Sequence, residues 1–185
     1  MKNATLLVID VQKGFEDPCW GKRNNPDAES NIALLLSEWR RKKRPVIHVQ
    51  HCSVETDSPL RPDSPGNEFK DIVLPINDEK IFTKTVNSAF IGTELEEYLR
   101  NHDIDSLVIV GLTTDHCVST TTRMAGNLGF EVTLVSDATA AFDRLGHDGK
   151  EYSAEDIHGI HLASLNKEFC TIRSTAEIVT GNAED

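Results

Sequence analysis

Short aliphatic runs alternate with segments of helical period along nearly the whole chain, and that alternation limits the fold more than any other feature. The run from Thr5 to Ile9 reads as a strand ending at Asp10. From Glu29 to Arg44, Ile32, Leu35, Leu36 and Trp39 recur at the i, i+3, i+4, i+7 spacing of one helix face. Arg40, Arg41, Lys42, Lys43 and Arg44 complement the negative end of that helix, and Pro45 stops it, so the basic run needs no nucleic-acid partner. A second strand over Val46–Gln50 enters a polar stretch, Ser53–Lys70, of the length and composition of a functional surface loop. A third strand, Lys80–Thr83, ends at Lys84, and Thr93 with Glu96 forms a capping-box pattern for a helix that turns Leu95, Tyr98 and Leu99 inward.

Leu107–Val110 is a continuous aliphatic strand closed by Gly111, with a helix starting around Asp115. Val132–Val135 is the next strand, ending near Asp137. A helix over Ser153–Asn166, a strand over Phe169–Ile172 and a helix from Ser174 complete the series. The pattern is that of one doubly wound α/β domain over residues 1–185, built on a parallel sheet.

The formal net charge of −11 argues against a nucleic-acid or anionic-membrane partner, since both are polyanions. Cys19, Cys52, Cys117 and Cys170 show no CxxC spacing. Met1-Lys2-Asn3 leads into an apolar run, Leu6–Ile9, too short for an export signal or a membrane span. Together these imply a cytoplasmic protein with reduced thiols, each either a buried small hydrophobe or a reactive group.

Ligands of open parallel sheets bind at the carboxyl ends of the strands. Asp10 ends the first strand, Lys84 ends the third, and Cys117 falls in the first turn of the helix after the fourth. A carboxylate, an ammonium and a thiol would thus share one rim. The helix N-terminus and the lysine both favour a thiolate and would lower the thiol pKa below its usual ~8.5. The carboxylate can take the thiol proton and return it to a leaving amine, while amides at the same turn hold an oxyanion. Asp115 opposes a second anion at that turn.

Three blocks resemble the signatures of the isochorismatase-like cysteine hydrolases: LLVIDVQKGF (Leu6–Phe15), TKTVNSAFIGTELEEYLR (Thr83–Arg100) and VIVGLTTDHCVSTTTRMAGNLGFEVTLVSDATAAF (Val108–Phe142). A fourth segment, LASLNKEFCTIRSTAEIV (Leu162–Val179), extends the likeness over nearly the whole chain. The resemblance implies a three-layer α/β/α sandwich around a six-stranded parallel sheet. It implies a catalytic triad of Asp10, Lys84 and Cys117, and a non-proline cis peptide at Leu112–Thr113. By the same likeness, the amides of Thr113 and Cys117 are the oxyanion donors and the protein forms homo-oligomers, dimers or tetramers. No cofactor is implied. Metal-binding members carry Asp-x-His, where this chain has Val49-Gln50-His51, and on a strand His48 and His51 point to opposite faces, so no metal is expected. Thr121–Arg144 is similar to members described as streptothricin hydrolase-like, which open a lactam.

Phe15, Trp20, His51, Phe90, His116 and Phe142 follow strand ends or flank the triad and are candidates to line a substrate pocket. Trp20 lies in a polar loop with no core to join; Cys19, Cys52 and Cys170 read as structural thiols. The favoured function is thiol-dependent cleavage of an amide, lactam or ureido C–N bond in a small molecule, through a thioester. Two alternatives stand beside it: a vinyl-ether hydrolase of isochorismatase type with Asp10 as acid, and a non-catalytic binding module. The second lacks the aspartate that a receiver-like domain needs at the central strand end, where this chain has Gly111.

Overall fold

The computed structural model describes residues 4–181; Met1 to Asn3, ahead of the first strand, lie outside the described residues. Elements follow in the order β1 (Thr5–Ile9), α1 (Ala28–Arg41), β2 (Val46–His51), β3 (Lys80–Lys84), α2 (Leu95–Asn101), β4 (Ser106–Leu112) and α3 (Ser119–Asn127). Then come β5 (Glu131–Ala140), β6 (Arg144–Leu145), β7 (Glu151–Tyr152), α4 (Ala154–Leu165), β8 (Thr171–Arg173) and α5 (Thr175–Thr180).

Six strands form one parallel sheet in the order β3-β2-β1-β4-β5-β8. Strand side chains alternate between its faces, as a two-residue period requires. Leu7, Ile9, Ile47, Val49, Leu107 and Ile109 meet Leu95, Leu99, Ala125 and Leu165 from α2, α3 and α4 on one side. Leu6, Val8, Val108 and Val110 meet Ile32, Leu35, Leu36 and Trp39 of α1 and Ile178 of α5 on the other. These two apolar layers make the α/β/α sandwich. Each fully buried Leu, Ile or Val contributes about 1.5–3 kcal/mol. Trp39 satisfies its indole N–H on the Ala4 carbonyl at 2.8 Å, so its burial leaves no orphan donor.

Several local expectations are corrected. The central strand does not close at Gly111 but runs to Leu112, with Gly111 opposite Ile9 at φ 129°. The Thr93–Glu96 capping box is not formed: Glu94 occupies the cap position, and Thr93 Oγ1 instead accepts from the Leu95 amide. A capping box closes the start of α5, between Ser174 and Glu177. Helix α1 ends at Arg41, leaving Lys42 to Arg44 in the turn before β2. Strand β5 continues through Asp137 to Ala140, its pairing with β4 shifting register between Ile109 and Gly111. The β6–β7 hairpin has no counterpart in the sequence pattern, each strand being only two residues long.

Strand order reverses between β1 and β4, and the carboxyl ends of β3, β2, β1 and β4 line up along one rim. A Cβ on Gly111 would lie 2.0 Å from the Ile9 carbonyl oxygen, at the seam of that reversal. Gly111→Ala is therefore expected to lose about 3 kcal/mol or more of stability, from positive φ and overpacking together, read as a lowered urea midpoint.

Candidate active site

Each of the four adjacent strand ends delivers one polar group. Asp10 follows β1 directly, in a left-handed conformation at φ 52°, and its amide donates to the Val49 carbonyl at 2.9 Å. His51 and Lys84 are the final residues of β2 and β3 and face each other in the pairing register. Cys117 lies in the turn after β4. That turn is not the first turn of a regular α-helix: residues Thr114–Val118 are π-helical, the Val118 amide reaching the Thr113 carbonyl at 3.2 Å, before α3 begins. The Leu112–Thr113 peptide bond at its entry is cis. His158 of α4 holds the turn from behind, its Nδ1 2.9 Å from Thr114 Oγ1.

Lys84 Nζ is the hub. It lies 2.6 Å from Asp10 Oδ2, 3.1 Å from His51 Nδ1 and 3.2 Å from Cys117 Sγ. An ammonium only donates, so the His51 Nδ1 that faces it is the acceptor and the ring proton sits on Nε2. Burial and the adjacent ammonium push the His51 pKa down to about 4, which keeps the ring neutral. Asp10 and the Lys84 side chain have no exposed surface, and Asp10 Oδ1 has no hydrogen-bond partner among the described residues. Burial raises the Asp10 pKa above 3.8, opposed by Lys84.

The thiol departs from expectation. Burial first, and the Asp10 carboxylate second, push the Cys117 pKa up, outweighing the Lys84 charge. Cys117 is thus a thiol at rest, with the Asp10 carboxylate as a hydrogen-bonding neighbour and Asn87 Oδ1 as a weak S–H contact 3.8 Å away. Desolvation exceeds the lysine contribution because Cys117 is only 7% exposed and the Lys84 charge is already matched by Asp10.

Above the thiol opens a cavity of about 330 Å³. Phe15, Trp20, His51, Thr113 and His116 line it, as does Cys117 itself. Phe15, Trp20 and Phe142 form one aromatic cluster with ring centroids 5.1–6.3 Å apart, and the Trp20 indole donates to the Gly14 carbonyl at 2.8 Å. Phe142 backs this wall without reaching the cavity lining, and Phe90 turns away to stack on Phe130. Both are aromatic at a strand end or loop, but packing with neighbouring rings decides their direction. The sequence reading missed Asn87 and Thr85, three residues and one after Lys84, and missed Ser53, Val54, Glu55, Ser58 and Leu60 from the polar excursion. Its only available signal was the length of the Ser53–Lys70 stretch.

His48 points to the opposite face from His51 and meets Glu79 at 3.0 Å, within a pair that Glu79 also makes with Arg40. Donor atoms of Asp10, His51 and Cys117 lie within 4.8 Å of one another, a spacing suited to a metal ion. All three lie within 3.2 Å of Lys84 Nζ, whose positive charge would repel a cation bound among them. Cys170 is buried, Cys52 half-buried and Cys19 exposed, so Cys19 is not a core thiol.

The family model for the isochorismatase domain matches residues 4–177. The isochorismatase family protein YrdC of Bacillus subtilis is 52% identical over 178 residues, covering 96% of this chain and 95% of that protein. Streptothricin hydrolase of Streptomyces noursei is 33% identical over 141 residues, covering 75% of this chain and 54% of that protein. An isochorismatase-family structure from Chromobacterium violaceum superposes with a TM-score of 0.94 at 43% identity, covering 99% of this chain and 96% of that one. Among the described residues no helix is long and apolar enough to cross a membrane.

With the thiol pKa raised, the alkylation rate of Cys117 by iodoacetamide should climb about tenfold per pH unit from pH 7 with no plateau below about pH 9. Mass spectrometry of the modified peptide checks this; a plateau near neutrality would show a preformed thiolate. The His51 ring should stay neutral from pH 5 to 8 in NMR titration. In the unfolded chain its pKa returns to 6.5, so its contribution to stability is lost as pH falls from 6.5 towards about 4.

Proposed function

This chain belongs to the isochorismatase family of hydrolases, and on that premise we propose that it cleaves a C–N bond of a small amide, lactam or urea through a thioester on Cys117. The observation that carries the proposal is the Lys84 hub, which brings a carboxylate oxygen and a thiol onto one ammonium at the floor of an open cavity. Streptothricin hydrolase among the relatives supports a hydrolytic reading of that geometry.

Sγ attacks the substrate carbonyl carbon as the thiol proton passes to Asp10, whose Oδ1 has no hydrogen-bond partner among the described residues. Asp10 suits this task because burial brings its basicity closer to that of the thiol than an exposed carboxylate would be. The carbonyl oxygen becomes an oxyanion received by the amides of Thr113 and Cys117, on the turn that borders the cavity. Collapse breaks the C–N bond, and the leaving nitrogen takes the proton from Asp10. Water then attacks the thioester while Asp10 accepts its proton; as the C–S bond breaks, Asp10 returns that proton to Sγ, which releases the acid and restores the thiol and the carboxylate. Lys84 stays an ammonium throughout and holds both partners in line.

On an amide, lactam and ureide panel, Cys117→Ala is expected to lose about a thousandfold or more in kcat against any substrate the wild type turns over. Acid quench of a slow substrate should trap a mass increment on the Cys117 peptide equal to the acyl group. Full turnover by Cys117→Ala would overturn the thioester. The acid limb of kcat/KM should fall above the ordinary carboxylate value of 3.8, because Asp10 must be ionised to accept the proton.

A further inference from the structure

The cavity over Cys117 has an uneven charge inventory. Of the side chains that line it, Glu55 alone carries a formal charge at neutral pH, and it is exposed on the loop after β2. His51 is neutral, with its proton on Nε2, and so offers an uncharged donor. The nearest ammonium, Lys84, has no exposed side-chain surface. Its three N–H directions go to Asp10, His51 and Cys117, so none remains for a substrate oxygen. Two guanidiniums beside the lining are already paired: Arg144, next to His116, with Asp115 at 2.8 Å, and Arg61, next to Leu60, with Asp63 at 2.6 Å. His116, which borders the cavity beside Arg144, is kept below its ordinary pKa chiefly by burial.

Sites that bind carboxylates present a free arginine or lysine, because a charge-assisted and often bidentate contact is what offsets desolvation of the anion. This cavity presents the opposite. Resting on the reading of Cys117 as the nucleophile at its floor, we infer that the pocket selects uncharged or cationic carbonyl compounds and excludes carboxylates, with Glu55 the specificity-determining charge at its mouth. Neutral donors and acceptors, His51 Nε2–H and Asn87 among them, address an amide. Phe15 and Trp20, tilted rings 5.1 Å apart, give an aromatic wall against which an apolar or cationic group can rest. A vinyl ether of the isochorismate type, which carries two carboxylates, is the wrong charge for this pocket.

Cys117 itself reports the local field. The purified protein would be treated separately with two methanethiosulfonates of similar size, one bearing a trimethylammonium group and one a sulfonate. Rates at Cys117 are read by peptide mass spectrometry and divided by the same ratio for N-acetylcysteinamide. The cationic reagent should win by about tenfold after normalisation, and Glu55→Lys should remove most of that preference. Equal rates, or a faster anionic reagent, would overturn the inference; so would a preference untouched in Glu55→Lys. A second measurement holds even if charged reagents enter slowly. Protection of Cys117 from the small neutral methyl methanethiosulfonate should be given by benzamide and not by benzoate at equal concentration, and the reverse order would overturn the inference. Neither measurement requires turnover, so a failure of the thioester proposal and a failure of this one are told apart.

Discussion

Lys84 Nζ and Asp10 Oδ2 stand 2.6 Å apart with no exposed side-chain surface on either residue, and the rest of the site is arranged around them. Moving two such ions out of water costs several kcal/mol each, and removing one partner from a buried pair costs about 3–5 kcal/mol. The pair persists because every ammonium hydrogen has an acceptor and because the sheet fixes both residues. Lys84 shares a face of β3 with the buried Phe82, and its register partner on β2 is His51. A one-residue slip would turn Lys84 to the other face and leave Asp10 alone in the core. Strand register and chemistry are therefore one constraint.

The same burial that makes the pair expensive makes the thiol latent. Cys117 gains little from an ammonium whose charge is already matched, and the nearby carboxylate opposes a second anion. A protonated thiol beside a carboxylate with raised pKa keeps the proton within reach of both atoms. In the proposed reaction, attack would couple proton transfer to bond formation without maintaining a reactive thiolate in the absence of substrate. The π-helical turn contributes by setting Sγ toward the hub and the cavity at once.

The walls of the cavity are built from loops, and backbone contacts hold them. Asn67 donates to the carbonyls of His51 and Leu60 at 2.8 Å each, and Gln12 donates to the carbonyls of His51 and Asn67. Gly66 sits so close to Pro59 that a Cβ would lie 2.3 Å from its carbonyl oxygen. These ties dock the polar excursion onto the segment that carries Phe15, so that Glu55 and Trp20 border the same cavity from loops far apart in sequence.

What the sequence by itself determined is whatever depends on neighbours along the chain. Aliphatic runs of strand length and the Ile32–Trp39 helix face are local periodicities, and they gave the alternating elements, hence a parallel sheet with its ligand edge at the strand ends. Asp10 and Lys84 were legible because each ends a strand, and Cys117 because it lies just past another; the motif resemblance joined the three. Tertiary structure alone decided the rest. The direction of Phe90 and Phe142 follows from rings elsewhere in the chain, Phe130 for one and Phe15 with Trp20 for the other. The length of β4 past Gly111 follows from its pairing with β1 and β5. The thiol pKa, expected low from a helix end and a lysine, is raised because desolvation depends on how completely the fold covers Cys117. Charge at the cavity mouth was equally hidden, since Glu55 is one of thirty acidic residues until the loop after β2 is folded against Phe15 and Trp20. Burial and long-range proximity are properties of the packed chain, and no pattern of adjacent residues encodes them.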